Sequence, residues 1–122
     1  MEGFTESVAT EVAGFGIRFT LIEPGGVRTG FGQALQYASE HPAYRTGPVA
    51  ELRRLSSGGD DVYTADPAKV ASAIVGLTRM PEPPLRLALG DDAFDAIEAA
   101  LQNRLRELAQ YRELTCSVAH TD

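Results

Sequence analysis

Glu23-Pro24-Gly25-Gly26-Val27-Arg28-Thr29-Gly30-Phe31 is the stretch on which the reading of this chain turns. It follows a run, Ile17 to Ile22, that reads as a strand: Ile17, Phe19 and Leu21 alternate with Arg18 and Thr20 until Ile22 breaks the pattern. The break makes a strand buried on both faces, as in a parallel sheet, at least as good a reading as a half-exposed one. Pro24 has no N–H to donate, so the ladder is expected to end there. Gly25 and Gly26 let the backbone pass close to a neighbour or adopt positive φ. Open α/β sheets place their ligands at such turns, at the carboxyl ends of parallel strands.

Outward from the turn, the order of elements becomes specific. A helix over Glu2–Val12, then Gly14-Phe15-Gly16, then the strand, then Pro24-Gly25-Gly26-Val27-Arg28-Thr29 resembles the short-chain dehydrogenase/reductase family. The similarity is to the part of that family just after its active-site Tyr-x-x-x-Lys. It is specific from Glu2 to Phe31 and falls to agreement of pattern beyond. The fold it implies is α/β: the C-terminal portion of a Rossmann-like doubly wound sheet, about two parallel strands flanked by helices, with residues 1–122 as the C-terminal half of the domain. The family's Gly-rich phosphate loop, catalytic Ser and Tyr-x-x-x-Lys belong upstream and do not occur in this sequence.

The resemblance also implies roles. Val27 stands where the family's backbone N–H and C=O hold the nicotinamide carboxamide, with its side chain near the ring. Thr29 stands where a hydroxyl reaches the carboxamide or the phosphates. Pro24 and Gly25 shape the turn, and Gly26 occupies a position that varies. Read without the flanking elements, the same residues are simply a tight strand-to-loop turn. NAD or NADP is the implied cofactor, with a small carbonyl or alcohol as substrate; the residues that choose between the two cofactors lie in the missing half.

The first helix carries Phe4, Val8 and Val12 at i, i+4, i+8, a stripe suited to covering a sheet. In the family, its counterpart packs against a second subunit. No capping box precedes it, so it reads as cut rather than started. Residues 32–65 form a long irregular region where the family has its substrate lid, with Gln33–Ser39 and Val49–Leu55 capable of helix. Phe31, Tyr37 and Tyr44 are the candidate substrate contacts; the alternative is that such residues pack the lid onto its own body.

Asp66-Pro67 announces a helix, Asp as N-cap and Pro at the first helical position. Val70, Ala73, Ile74 and Leu77 give it an apolar stripe, and Pro81, Pro83 and Pro84 end it. Leu85 to Gly90 alternates and reads as a second strand, a crossover back into a parallel sheet. Asp91-Asp92 then opens the last helix, with both acids suited to the positive end of its dipole. Phe94, Ile97, Leu101, Leu105 and Leu108 form its apolar stripe, and residues 112–122 read as a frayed tail.

Composition narrows the partners. The net charge of −6 over 122 residues argues against nucleic acid, and no run approaches the roughly 20 apolar residues of a membrane helix. No signal peptide is visible. The single cysteine, Cys116, cannot form an internal disulfide, which makes a reducing cytoplasm the default. No metal site is expected: His41 and His120 are isolated, and Asp60-Asp61 and Asp91-Asp92 lack the spacing of a calcium loop.

The expectation is therefore the C-terminal part of an NAD(P)-dependent oxidoreductase that is inactive alone. In the parent enzyme Tyr would act as acid/base, Lys would lower its pKa and Ser would position the oxygen, and this chain has no substitute for them. A bare strand edge implies a homo-oligomer, a swapped assembly or a partner chain carrying the N-terminal half. The rival is a non-catalytic binding or oligomerisation module that keeps half of the fold.

Overall fold

Two short strands pair in parallel: β1 (Leu21–Pro24) and β2 (Arg86–Leu89), in the register Leu21↔Arg86, Ile22↔Leu87, Glu23↔Ala88 and Pro24↔Leu89. A computed structural model describes residues 1–57 and 63–120, without the side chains of residues 32 and 33. Gly58-Gly59, Asp60-Asp61 and the end of the tail lie outside the described residues. The helices are α1 (Glu2–Val12), α2 (Phe31–Ala34), α3 (Pro48–Ser56), α4 (Pro67–Leu77), α5 (Asp91–Gln110) and α6 (Arg112–Cys116). The expected α/β class holds, with two parallel strands and flanking helices.

The first strand starts later than the alternation suggests: it covers 21–24 rather than 17–22. The register sets Phe19 and Arg18 opposite Pro84 and Pro83, and the Pro83 nitrogen, which would face Ile17 C=O, has no hydrogen to donate, so the ladder cannot reach back to Ile17. The last contact before the ladder is a side-chain one, the Thr20 hydroxyl donating to the Pro84 carbonyl at 2.7 Å. The ladder ends at Pro24 as expected, but not because Pro24 lacks an N–H. Leu21 N–H donates to Leu85 C=O at 2.8 Å and Gly25 N–H to Leu89 C=O at 2.9 Å. Donors toward β2 alternate along a strand, so the nitrogen of Pro24 faces away from β2 and nothing is lost.

α1 ends through a 3₁₀ turn (Ala13–Phe15) closed by Gly16 at φ 73°, whose N–H donates to Ala13. Its apolar stripe is poorly covered: Phe4 is exposed, and Val8 and Val12 are half-buried. What ties α1 to the strands is ionic. Arg86 on β2 reaches Glu2 at 2.9 Å and Glu6 at 2.8 Å on α1, and Glu23 at 2.5 Å on β1. α4 starts as its residues dictate. The Asp66 carboxylate accepts from Ala68 N–H at 2.7 Å and Lys69 N–H at 3.3 Å, with Pro67 at the first position.

The segment after the turn has three short helical pieces, α2, a 3₁₀ turn over Pro42–Tyr44, and α3. Helix expected over Gln33–Ser39 stops at Ala34, because Leu35 is extended at ψ 126°. Residues 112–116, read as frayed tail, continue as α6 after a break at Tyr111. Among the described residues only Leu77 and Ala93 are fully buried apolar side chains. No helix among them is long and apolar enough to cross a membrane.

Candidate functional site at the end of the first strand

Beyond Pro24 the backbone makes one further parallel bridge, Val27 with Ala65. Its bonds come from the flanking residues: Arg28 N–H donates to Ala65 C=O at 2.9 Å, and Ala65 N–H to Gly26 C=O at 3.0 Å. A parallel bridge of this kind turns the N–H and C=O of Val27 itself to the side away from Ala65. Among the described residues neither group has a backbone partner. Each sits in a planar peptide group whose other end is held, the Gly26–Val27 group by its C=O and the Val27–Arg28 group by its N–H. Planarity therefore fixes both free groups without any side-chain rotamer. Val27 thus presents one rigid donor and one rigid acceptor on the same side.

Neither Gly25 nor Gly26 offers such a pair, since the N–H of each is already engaged. Gly25 N–H is used by Leu89 and Gly26 C=O by Ala65. Gly26 N–H donates to Asp92 Oδ2 at 2.7 Å, from the start of α5. The glycines are there for space. A Cβ on Gly25 would stand 2.0 Å from Asp92 Oδ1, and one on Gly26 would stand 2.6 Å from the Tyr63 ring. The Asp92 carboxyl is held below the usual carboxylate range, chiefly by the Gly26 N–H and further by backbone N–H groups at the start of α5, against some loss of hydration. The sequence reading gave Asp92 only a helix-dipole role. Nothing local in the sequence pairs it with a glycine 66 positions away.

Thr29 Oγ1 accepts from Phe31 N–H at 3.3 Å, which opens α2 and leaves the hydroxyl hydrogen available to donate. Arg28 Nε donates to Tyr63 C=O at 3.4 Å. Arg28 also lines a cleft of about 270 Å³ with Thr64, Ala65, Asp66 and Pro67 beside the turn. The three candidate substrate contacts are placed separately. Phe31 is exposed at the start of α2. Tyr37 lies under Arg53, whose guanidinium carbon is 5.3 Å from the ring centre while its Nη2 donates to Ala38 C=O at 2.6 Å. Tyr44 tilts against His41 with ring centres 5.8 Å apart. Tyr37 and Tyr44 therefore each have an aromatic or cationic neighbour within the segment itself. His41 caps the 3₁₀ turn through Nδ1, and among the described residues no cluster of three or more His, Cys, Asp or Glu could hold a metal.

No family model matches the chain. In sequence it is 36% identical over 120 residues to the oxidoreductase BOA17 of Botryotinia fuckeliana, covering 96% of this chain and 43% of that protein. It is 28% identical over 124 residues to the uncharacterized oxidoreductase C162.03 of Schizosaccharomyces pombe, covering 42% of it. In structure it matches the crystal structure of a short-chain dehydrogenase from Streptomyces avermitilis with a TM-score of 0.81 and 34% identity. That match takes in 98% of this chain and 43% of the other. The chain thus spans about two fifths of the length of the proteins it resembles.

Proposed function

We propose that this chain, whose sequence and fold are those of part of a short-chain dehydrogenase/reductase, forms the nicotinamide-side turn of an oxidoreductase acting between NAD or NADP and a carbonyl or alcohol. The observation that carries the proposal is the Val27 backbone, whose N–H and C=O have no backbone partner among the described residues and are held rigidly on one side of a turn. A primary carboxamide asks for that pair: its oxygen takes a donor and its nitrogen gives to an acceptor. The residues present therefore fit the group. When bound, the nicotinamide supplies the carbon that gives or takes the hydride. Val27 would orient the ring through its carboxamide and shield one side with an apolar side chain, and the Thr29 hydroxyl would donate a further hydrogen bond.

Proton transfer to or from the substrate oxygen needs a residue this chain does not contain. Its one lysine is Lys69, and the residue four positions earlier is Ala65, so no Tyr-x-x-x-Lys is present. Alone, the chain binds weakly and turns nothing over. Its partner is a second copy or a chain that carries the remaining portion of the fold.

The test is saturation-transfer NMR of the chain with millimolar NADH and NADPH, read at the nicotinamide protons, beside an assay for oxidation of either cofactor with a simple ketone. Transfer to the nicotinamide with no turnover is expected. Val27→Pro removes this backbone N–H, and should abolish the transfer while the Ala65 and Arg28 amides keep their protection, which shows the turn itself intact. Undiminished transfer in that variant, or none in the unmodified chain, overturns the proposal.

A further inference from the structure

Asp92 is one of two acids at the start of α5, and the proposed chemistry does not use it. Its surroundings are unusual for such a residue. Three glycines close around the carboxylate from two separate parts of the chain. A Cβ on Gly25 would stand 2.0 Å from Oδ1, one on Gly90 would stand 2.6 Å from Oδ1, and one on Gly26 would stand 3.4 Å from Oδ2. The carboxylate accepts the Gly26 N–H at 2.7 Å. Beside it, Gly25 N–H meets Leu89 C=O, so the carboxyl end of β1 is fastened to both the end of β2 and the start of α5.

We infer that Asp92 is the positioning residue of the turn: by pinning the Gly26 amide it fixes the Gly25–Gly26 peptide plane, the one plane leading into Val27 that the Ala65 bridge does not hold. The three peptide groups from Gly25 to Arg28 then form a continuous held series. Asp92 holds the first by its N–H, and Ala65 holds the second by its C=O and the third by its N–H. The residue touches no reacting atom. Its use toward a cofactor rests on the nicotinamide reading above, whereas the latch itself does not.

The latch is ionic on one side and therefore sensitive to pH. A carboxyl held below its ordinary value keeps the bond at neutral pH and releases it as the pH falls through that lowered value. The other titratable or charged groups around it are Asp91 and Asp95 on α5, and Tyr63 with Arg28 across the turn. Asp66 and Lys69 lie at the start of α4, along the cleft they share with Asp91. None of these is bonded to the Asp92 carboxylate.

The experiment follows the Gly26 amide of the whole chain by ¹⁵N–¹H NMR without cofactor, across pH 2 to 7. Its resonance should titrate with a single midpoint below that of a free aspartate. In Asp92→Ala the dependence should vanish and Gly26 amide exchange should quicken roughly tenfold. Asp92→Asn keeps an acceptor, so it should restore the protection without the titration. A Gly26 resonance flat with pH in the unmodified chain overturns the latch, even if Asp92→Ala does not fold. Repeating the NADH saturation transfer separates the two readings. Transfer equal in Asp92→Ala and the unmodified chain overturns the positioning role alone. Transfer absent from both overturns the nicotinamide reading and the positioning role built on it, while the Gly26 titration still decides the latch.

Discussion

Arg86 donates to Glu23 at 2.5 Å diagonally across the parallel strand pair, where its register partner is Leu21. Residues two apart on a strand share a face, so Glu23 lies on the same side as Leu21 and is within reach of a long side chain on β2. The same guanidinium also takes Glu2 and Glu6 from α1. Three carboxylates around one fork hold its pKa above the ordinary arginine value, Glu6 contributing most. The cluster thus joins the first helix to both strands by charge, where apolar contact is thin.

Arg86→Leu should release α1 from the strands. Amide exchange in Glu2–Val12 rises, while the β1–β2 amides stay protected, because the backbone ladder does not involve the side chain. Arg86→Lys should recover part of the protection, since one ammonium cannot serve three carboxylates as a planar fork does. In 1 M salt the screening length shrinks to about 3 Å, and the unmodified chain should then approach the variant.

Gly25→Ala should destabilise the turn. The new Cβ would stand 2.0 Å from Asp92 Oδ1, so that side chain must rotate away and give up the Gly26 amide. The cost expected of such crowding is about 1–3 kcal/mol, read as a lower urea midpoint. Gly90→Ala should behave alike for a second reason, because its φ of 119° lies where a Cβ is strained.

Asp66→Ala removes the acceptor for two amides at the start of α4, a loss of about 0.5–2 kcal/mol. Ala65, which braces Val27, is the residue immediately before this cap. Faster exchange should therefore appear at Ala68 and Lys69 and extend to Arg28, whose N–H bonds Ala65. Asp66→Ser should restore all three.

Self-association is expected at modest concentration. The chain exposes 10107 Å² for a mass of 13.1 kDa, against about 6,400 Å² for a compact monomer of that mass. Much of the surplus is apolar: Phe94, Leu101, Leu105 and Leu108 are all exposed on α5. Light scattering over a dilution series should show a size that falls with concentration, and Leu101→Glu with Leu105→Glu should bring the chain to monomer. A compact monomer throughout, in the unmodified chain, would count against this.

The sequence by itself determined what depends on near neighbours. Asp66-Pro67 start α4 because a side-chain acceptor and a missing N–H act within one turn, and the 3–4 spacing from Phe94 to Leu108 makes α5 a helix. The order of helix, glycine turn, strand and Pro-Gly turn was enough to carry the family resemblance, which the relatives and the solved structure bear out. The tertiary structure decided what depends on partners distant in sequence. Alternation from Ile17 marks a chain able to form a strand, but ladder bonds need donors opposite; the Pro83 nitrogen that would meet Ile17 C=O has none, and β1 covers only Leu21–Pro24. Which peptide groups of the turn stay free was likewise set from afar, by Ala65, Leu89 and Asp92. Asp92 shows the division most plainly: its place at a helix start is local, whereas its hold on Gly26 exists only because parallel pairing brings the end of β1 beside the start of α5.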